Sequence, residues 1–202
     1  MPECLLALGS NLGERAATLD SAIVMMDSLE GVRVVRHSAW QMTLPVGGAQ
    51  LEREFLNGAA VVETTKEPED LLSLLQLIEA SHGRERRERW GDRTLDLDLL
   101  LYGDRIFESP QLILPHSRMS YRRFVLEPAV EIASDWVHPT IGWTLAELAQ
   151  HLDNGADCVA IVSPDGAKRR ELAERLVEWV NFVPAAAPLD DAKWPAGWTT
   201  WL

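Results

Sequence analysis

Asp96 and Asp98 stand two residues apart in a stretch, Arg84 to Tyr102, that reads RERRERWGDRTLDLDLLLY. Leucine alternates with aspartate there. A strand sends successive side chains to opposite faces, so the two carboxylates project together while Leu95, Leu97 and Leu99 project the other way. Like charges on backbone positions roughly 6 to 7 Å apart repel unless a cation lies between them, and a hard, oxygen-seeking ion such as Mg2+ suits that place. An isolated Asp-x-Asp is also an ordinary feature of a half-wetted sheet. The residues just before it add a second observation. Five of the sixteen arginines fall within ten residues, Arg84, Arg86, Arg87, Arg89 and Arg93, although the net charge of the chain is −12. Arginine is the side chain suited to bidentate phosphate recognition. An acidic pair able to hold metal beside clustered arginines reads as a polyphosphate site.

The elements that must position this stretch follow from periodicity and turn chemistry. Cys4 to Leu8 is a short apolar run ending at Gly9, a buried strand followed by a sharp turn. Asn11 and Glu14 have the spacing of a helix cap and its capping-box partner, and Leu12, Ala16, Leu19, Ile23 and Met26 form one helical face that Gly31 ends. Val32 to Trp40 and Phe55 to Glu63 read as the second and third strands. The connection between them, Thr43 to Gln50, contains Pro45, Gly47 and Gly48 and is too long for a tight hairpin, so it is a candidate loop over a site. Pro68 opens a helix that runs to about His82, with Leu71, Leu74, Leu75 and Ile78 on its buried face and Gln76 and Glu79 on a flank that is ordinarily a solvated edge. Leu112 to Pro115 is extended and delivers His116, which precedes Arg118, Arg122 and Arg123 and with them makes a second cationic wall. Leu126 to Ile132 reads as a short helix interrupted by Pro128, and Thr144 to Leu152 as another with Thr144 and Glu147 as its capping box. Asn57 interrupts an apolar strand start, and a buried amide must find partners, either neighbouring backbone or a heterocycle with amide-like edges.

The stretch from Arg89 to Leu100, RWGDRTLDLDLL, resembles the signature of the 6-hydroxymethyl-7,8-dihydropterin pyrophosphokinase family. Gly9-Ser10-Asn11-Leu12-Gly13, Phe55-Leu56-Asn57, Gln76 with Glu79, and Pro115-His116 with Arg122 and Phe124 fall in that family's order, so the resemblance covers roughly Cys4 to Leu152. Two departures stand out: Asp92 replaces the family's usual proline or small residue, and the loop from Gly83 to Trp90 is about one residue short. The resemblance implies transfer of diphosphate from ATP to the hydroxymethyl group of a reduced pterin, with two Mg2+ ions held by Asp96 and Asp98. It implies catalytic roles for Asp96, Asp98, Arg84 and Arg93. ATP would be bound by Gln76, Glu79, Arg86, Trp90, His116 and Arg122, with Glu79 holding Arg93 by a salt bridge. The pterin would be bound by Thr43, Pro45, Val46, Phe55, Asn57 and Phe124, the two phenylalanines stacking on its flat ring. The residues do not decide on a general base; an aspartate or water could serve.

Composition narrows the remaining classes. A chain of 202 residues with 47% hydrophobic residues can bury its own core. The acidic balance argues against nucleic-acid binding, which needs a basic face. Cys4 and Cys158 make neither a disulfide framework nor a zinc spacing, and no stretch resembles a leader or a membrane span, so a cytoplasmic location is expected; a monomer is expected besides. The order strand, helix, strand, strand, helix, strand implies an α+β fold, a ferredoxin-like split βαβ arrangement with a mostly antiparallel sheet. Residues 1–152 form the expected pyrophosphokinase-like domain and 153–202 an extension, with an amphipathic helix from Asp165 to Phe182 and a tail containing Trp194, Trp198 and Trp201. Two other readings share the acidic pair: a different Mg2+-dependent phosphoryl or nucleotidyl transferase, and a ferredoxin-like ligand-binding module without turnover.

Overall fold

The computed structural model of the chain describes residues 1–43, 54–83 and 94–154. Its first compact unit is Met1–Asp153. The elements run β1 (Glu3–Ser10), α1 (Arg15–Asp27), β2 (Val32–His37), β3 (Gln41–Thr43), β4 (Phe55–Thr64), α2 (Pro68–Ser81) and β5 (Asp96–Tyr102), then a small hairpin, β6 (Phe107–Glu108) and β7 (Ile113–Leu114), and finally α3 (Arg123–Ala133) and α4 (Leu145–Asn154). The main sheet has the order β2-β4-β1-β5 with β3 also on β4, and every pairing is antiparallel. With β2 and β3 counted as one interrupted strand, this is the βαββαβ order of a ferredoxin-like α+β fold.

Both faces of the sheet are covered, which is why β1 is apolar almost throughout. Leu6 and Leu8 join Leu19, Ala22 and Met26 of α1 and Leu71, Leu75 and Ile78 of α2 in one core. Leu5 turns the other way, into a second core with Ala59, Val61 and the Val125, Leu126 and Ala129 face of α3. Each fully buried leucine contributes about 1.5–3 kcal/mol. A bulge between Leu5 and Leu6 pairs them with Leu101 and Leu99, so Leu100 is the extra residue, and both Leu100 and Leu101 enter the α3 core. On the α1 stripe, Ala16 is exposed and Ala22 takes the buried place.

Several boundaries differ from the sequence expectation. β2 ends at His37 rather than Trp40, because the Trp40 ring lies against β4 where Gly58 has no side chain: a Cβ there would stand 2.4 Å from Trp40 Cε3. The Trp40 indole Nε1 donates to Asp20 Oδ1 of α1 at 2.8 Å, fixing the break. Asn11 does not cap α1. Gly13 turns the chain at φ +64° and the helix begins at Arg15, with Glu14 at the cap position making no side-chain cap bond. α3 starts at Arg123, three residues earlier than Leu126, and continues through Pro128. Proline there forfeits only the bond to the Phe124 carbonyl, and the packing of Val125, Leu126 and Ala129 outweighs that loss. The expected box on α4 does form: Glu147 N–H donates to Thr144 Oγ1 at 3.1 Å and Thr144 N–H to Glu147 Oε2 at 2.7 Å. Among the described residues no helix is long and apolar enough to cross a membrane.

Candidate active site

Strand register assembles one corner of the site. Asp96 of β5 pairs with Gly9 of β1, Gly9 with Asn57 of β4, and Asn57 with Gln41 of β3. Directly opposed residues of antiparallel strands share a face, and this row lies on the face that α3 covers. Asp98 lies two residues along, opposite Ala7, so both carboxylates project together from half-buried positions. Leu95, Leu97 and Leu99 are buried in the opposite core, as alternation requires. Gly9 keeps the middle of the row open, since a Cβ there would stand 2.9 Å from Asn57 Oδ1. Asn57 is only 6% exposed, and its Nδ2 donates to Thr43 Oγ1 at 2.6 Å. Its Oδ1 meets no donor among the described residues. Phe55, two residues before Asn57, shares its face and pairs with Thr43. Phe124 packs half-buried on the same side, with the Arg122 guanidinium carbon 5.6 Å from its ring centroid.

A cleft of about 410 Å³ runs along the outer edge of β5, between α2 and the β6–β7 hairpin. Gln76 and Glu79 line it from α2, Asp98 from β5, Ser109 to Ile113 from the hairpin, and His116 and Ser117 from the segment that follows. Two edge groups of β5 are taken. Leu97 N–H donates to Glu79 Oε1 at 2.7 Å, and the Leu100 carbonyl accepts from His116 N–H at 2.9 Å. Glu79 is therefore 2% exposed rather than on a solvated edge, whereas Gln76 does face solvent. His116 Nδ1 accepts from Arg118 N–H at 3.3 Å, which sets the neutral ring with its proton on Nε2. Burial lowers the His116 pKa from its ordinary 6.5, Asp98 opposes that shift, Arg122 and Arg118 reinforce it, and Asp96 opposes it. These five groups share one electrostatic neighbourhood.

A family model described as 7,8-dihydro-6-hydroxymethylpterin-pyrophosphokinase (HPPK) matches residues 5–134. The chain belongs to this family. A 2-amino-4-hydroxy-6-hydroxymethyldihydropteridine pyrophosphokinase of Synechocystis sp. is 40% identical over 157 residues, covering 78% of this chain and 77% of the relative. The enzyme of the same name from Methylorubrum extorquens is 40% identical over 153 residues, 76% of this chain and 95% of that one. Among solved structures, wild-type Plasmodium falciparum HPPK-DHPS with pteroate superposes with a TM-score of 0.58 at 13% identity, over 90% of this chain and 44% of that chain. The present chain thus spans less than half of that longer protein, and the likeness speaks to fold alone.

Of the residues that the HPPK resemblance singles out, the fold brings Asp96, Asp98, His116 and Arg122 to one end of β5, with Gln76 and Glu79 on the adjoining cleft wall. It places Thr43, Phe55 and Asn57 together on β3 and β4, with Phe124 on the α3 side of the same core. Arg84, Arg86, Trp90, Arg93, Pro45 and Val46 lie outside the described residues, as do Asp92, the short arginine loop and the Glu79–Arg93 contact. Sequence reasoning missed the hairpin residues Ser109 to Ile113 as a cleft wall. Ser109-Pro110 was a visible turn signal, but nothing local says which strand the turn will fold against. Among the described residues no group of three or more His, Cys, Asp or Glu side chains forms a ready-made metal cage. The donor set is instead a carboxylate pair beside a neutral histidine, which suits a hard cation whose other ligands are phosphate oxygens and water.

Proposed function

We infer that the chain carries the activity for which its family is named, moving diphosphate from ATP to the hydroxymethyl group of a reduced 6-hydroxymethylpterin in folate biosynthesis. The observation that supports it best is the row Asp96, Gly9, Asn57 across three strands, which sets an acidic pair and a buried amide on one face with an empty position between them. Asn57 Oδ1 would accept from the pterin edge, and Phe55 and Phe124 would hold the ring flat. The hydroxymethyl oxygen would then point along the row toward Asp96 and Asp98. It attacks the β-phosphorus, the bond from that phosphorus to the bridging oxygen of the α-phosphate breaks, AMP leaves, and the hydroxymethyl proton passes to water or an aspartate.

ATP would lie in the cleft along β5, its phosphates reached by the Nε2–H of His116 and by Arg122, with Gln76 and Glu79 on the wall beside it. Arg84, Arg86 and Arg93 would grip the phosphates from the other side, and Trp90 would accompany them. ATP chemistry in this family generally runs with Mg2+, and we assign two ions to Asp96 and Asp98. Bound there, Mg2+ supplies neutralisation of the triphosphate charge. Positioning and charge do most of the catalysis, and the extension beyond residue 152 is an accessory to it. Incubation with ATP, Mg2+ and the pterin alcohol tests the assignment. It should yield AMP and pterin diphosphate in equal amounts; accumulation of ADP would instead make the protein a simple kinase, and of pyrophosphate a nucleotidyl transferase.

A further inference from the structure

Gln41 occupies the fourth place in the row that begins with Asp96, directly opposite Asn57. Its position is fixed by the residue before it. Trp40 packs into the core beneath α1 and α2, bonds Asp20 through Nε1 at 2.8 Å, stacks on His37 at 5.4 Å between centroids, and fills the space that Gly58 leaves. Strand alternation then turns Gln41 to the opposite face, the one carrying Asn57 and Phe55. Thr43, the next residue of β3 on that face, already takes one proton of the Asn57 amide. Gln41 is half-buried, and its side-chain amide meets no hydrogen-bonding partner among the described residues.

The pyrimidine ring of a pterin presents an amino group, ring nitrogens and a carbonyl side by side, more polar positions than one partly used asparagine can match. Opposed residues in an antiparallel pair lie about 4.5–5.5 Å apart, close enough for two amides to read one heterocycle edge. We propose that Gln41 is a second pterin-binding amide, hydrogen-bonding the pyrimidine edge beside Asn57; this rests on the pterin site assigned above. Gln41 sets specificity for the heterocycle and takes no part in gripping ATP.

The test is calorimetry on the full-length chain, titrating the pterin alcohol in the presence of Mg2+ and a non-hydrolysable ATP analogue, and the analogue separately, for the native chain, Gln41→Met, Gln41→Glu and Asn57→Ala. Gln41→Met keeps the length and loses the amide, so pterin affinity should fall about five- to tenfold, with ATP-analogue affinity and thermal stability unchanged. Gln41→Glu keeps one acceptor and should retain part of the affinity. Native pterin affinity in Gln41→Met together with weakened binding in Asn57→Ala would overturn the role of Gln41 alone. Native affinity in both would overturn the pterin site itself and the inference with it. Parallel loss of pterin, nucleotide and stability would make Gln41 structural and also overturn the proposal.

Discussion

The two halves of the site are built in different ways. The proposed pterin corner is a product of register: Gly9, Asn57 and Gln41 face one another because three strands pair in one alignment, and a slip of one residue would turn every one of them to the other face. The cleft proposed for ATP is a product of an edge, where β5 offers groups that α2 and the segment after β7 must come and cover. Asp96 stands in the row and Asp98 lines the cleft, so the pair on one face of β5 joins the two. A site of this kind should lose pterin and ATP separately when either half is altered, and lose most of its turnover when the pair that joins them is altered.

The largest effect should come from that pair. Asp96→Ala and Asp98→Ala should each lower turnover by about a hundredfold or more while the chain stays folded, since removing one of two neighbouring like charges relieves repulsion. Full activity in either variant at saturating Mg2+ would dissolve the link between the halves. Asn57→Ala should weaken the pterin by about 1 to 3 kcal/mol and leave ATP binding as it is. Equal weakening of both ligands in titrations would mean a folding defect instead.

The cleft half has its own signature in acid. Because burial lowers His116 from 6.5, the folded chain binds fewer protons than the unfolded chain between that lowered value and 6.5. Stability therefore rises with pH across this window and falls as acid carries the protein down through the folded value. Urea unfolding at a series of pH values should show a shallower slope for His116→Gln, with His138, which burial also lowers, keeping its own share. An unchanged slope would remove His116 from the buried neutral role. A cut after Asn154 should have the smallest effect on turnover, because α4 and the pairing of Arg123 with Asp153 are retained. A folded but inactive truncated chain would show that the extension belongs to the chemistry.

Much of this was legible in residue order where the signal is local. Alternation alone put Asp96 and Asp98 on the face opposite Leu95, Leu97 and Leu99, and the Thr144 to Glu147 spacing gave the box that forms on α4. The Asn11 to Glu14 spacing is identical, but Gly13 lies inside it and turns the chain before the helix can begin. Glu79 was visible on its helix but its burial was not, because its partner is the backbone of Leu97, eighteen residues away. The break after His37 was equally hidden: it depends on Trp40 finding the bare backbone of Gly58 on another strand. Hydrogen bonds and close approaches between distant segments have no periodicity to betray them.

If the two halves meet as proposed, a divalent ion at Asp96 and Asp98 sits next to a pterin held at Asn57. Mg2+ can be replaced by paramagnetic Mn2+, with a non-hydrolysable ATP analogue and the pterin alcohol bound, and the relaxation of the pterin hydroxymethyl protons measured. Those protons should broaden strongly in the native chain and sharpen when both aspartates are replaced by alanine with the pterin still bound. Broadening that persists without the two carboxylates would place the metal on other groups and remove Asp96 and Asp98 as its ligands.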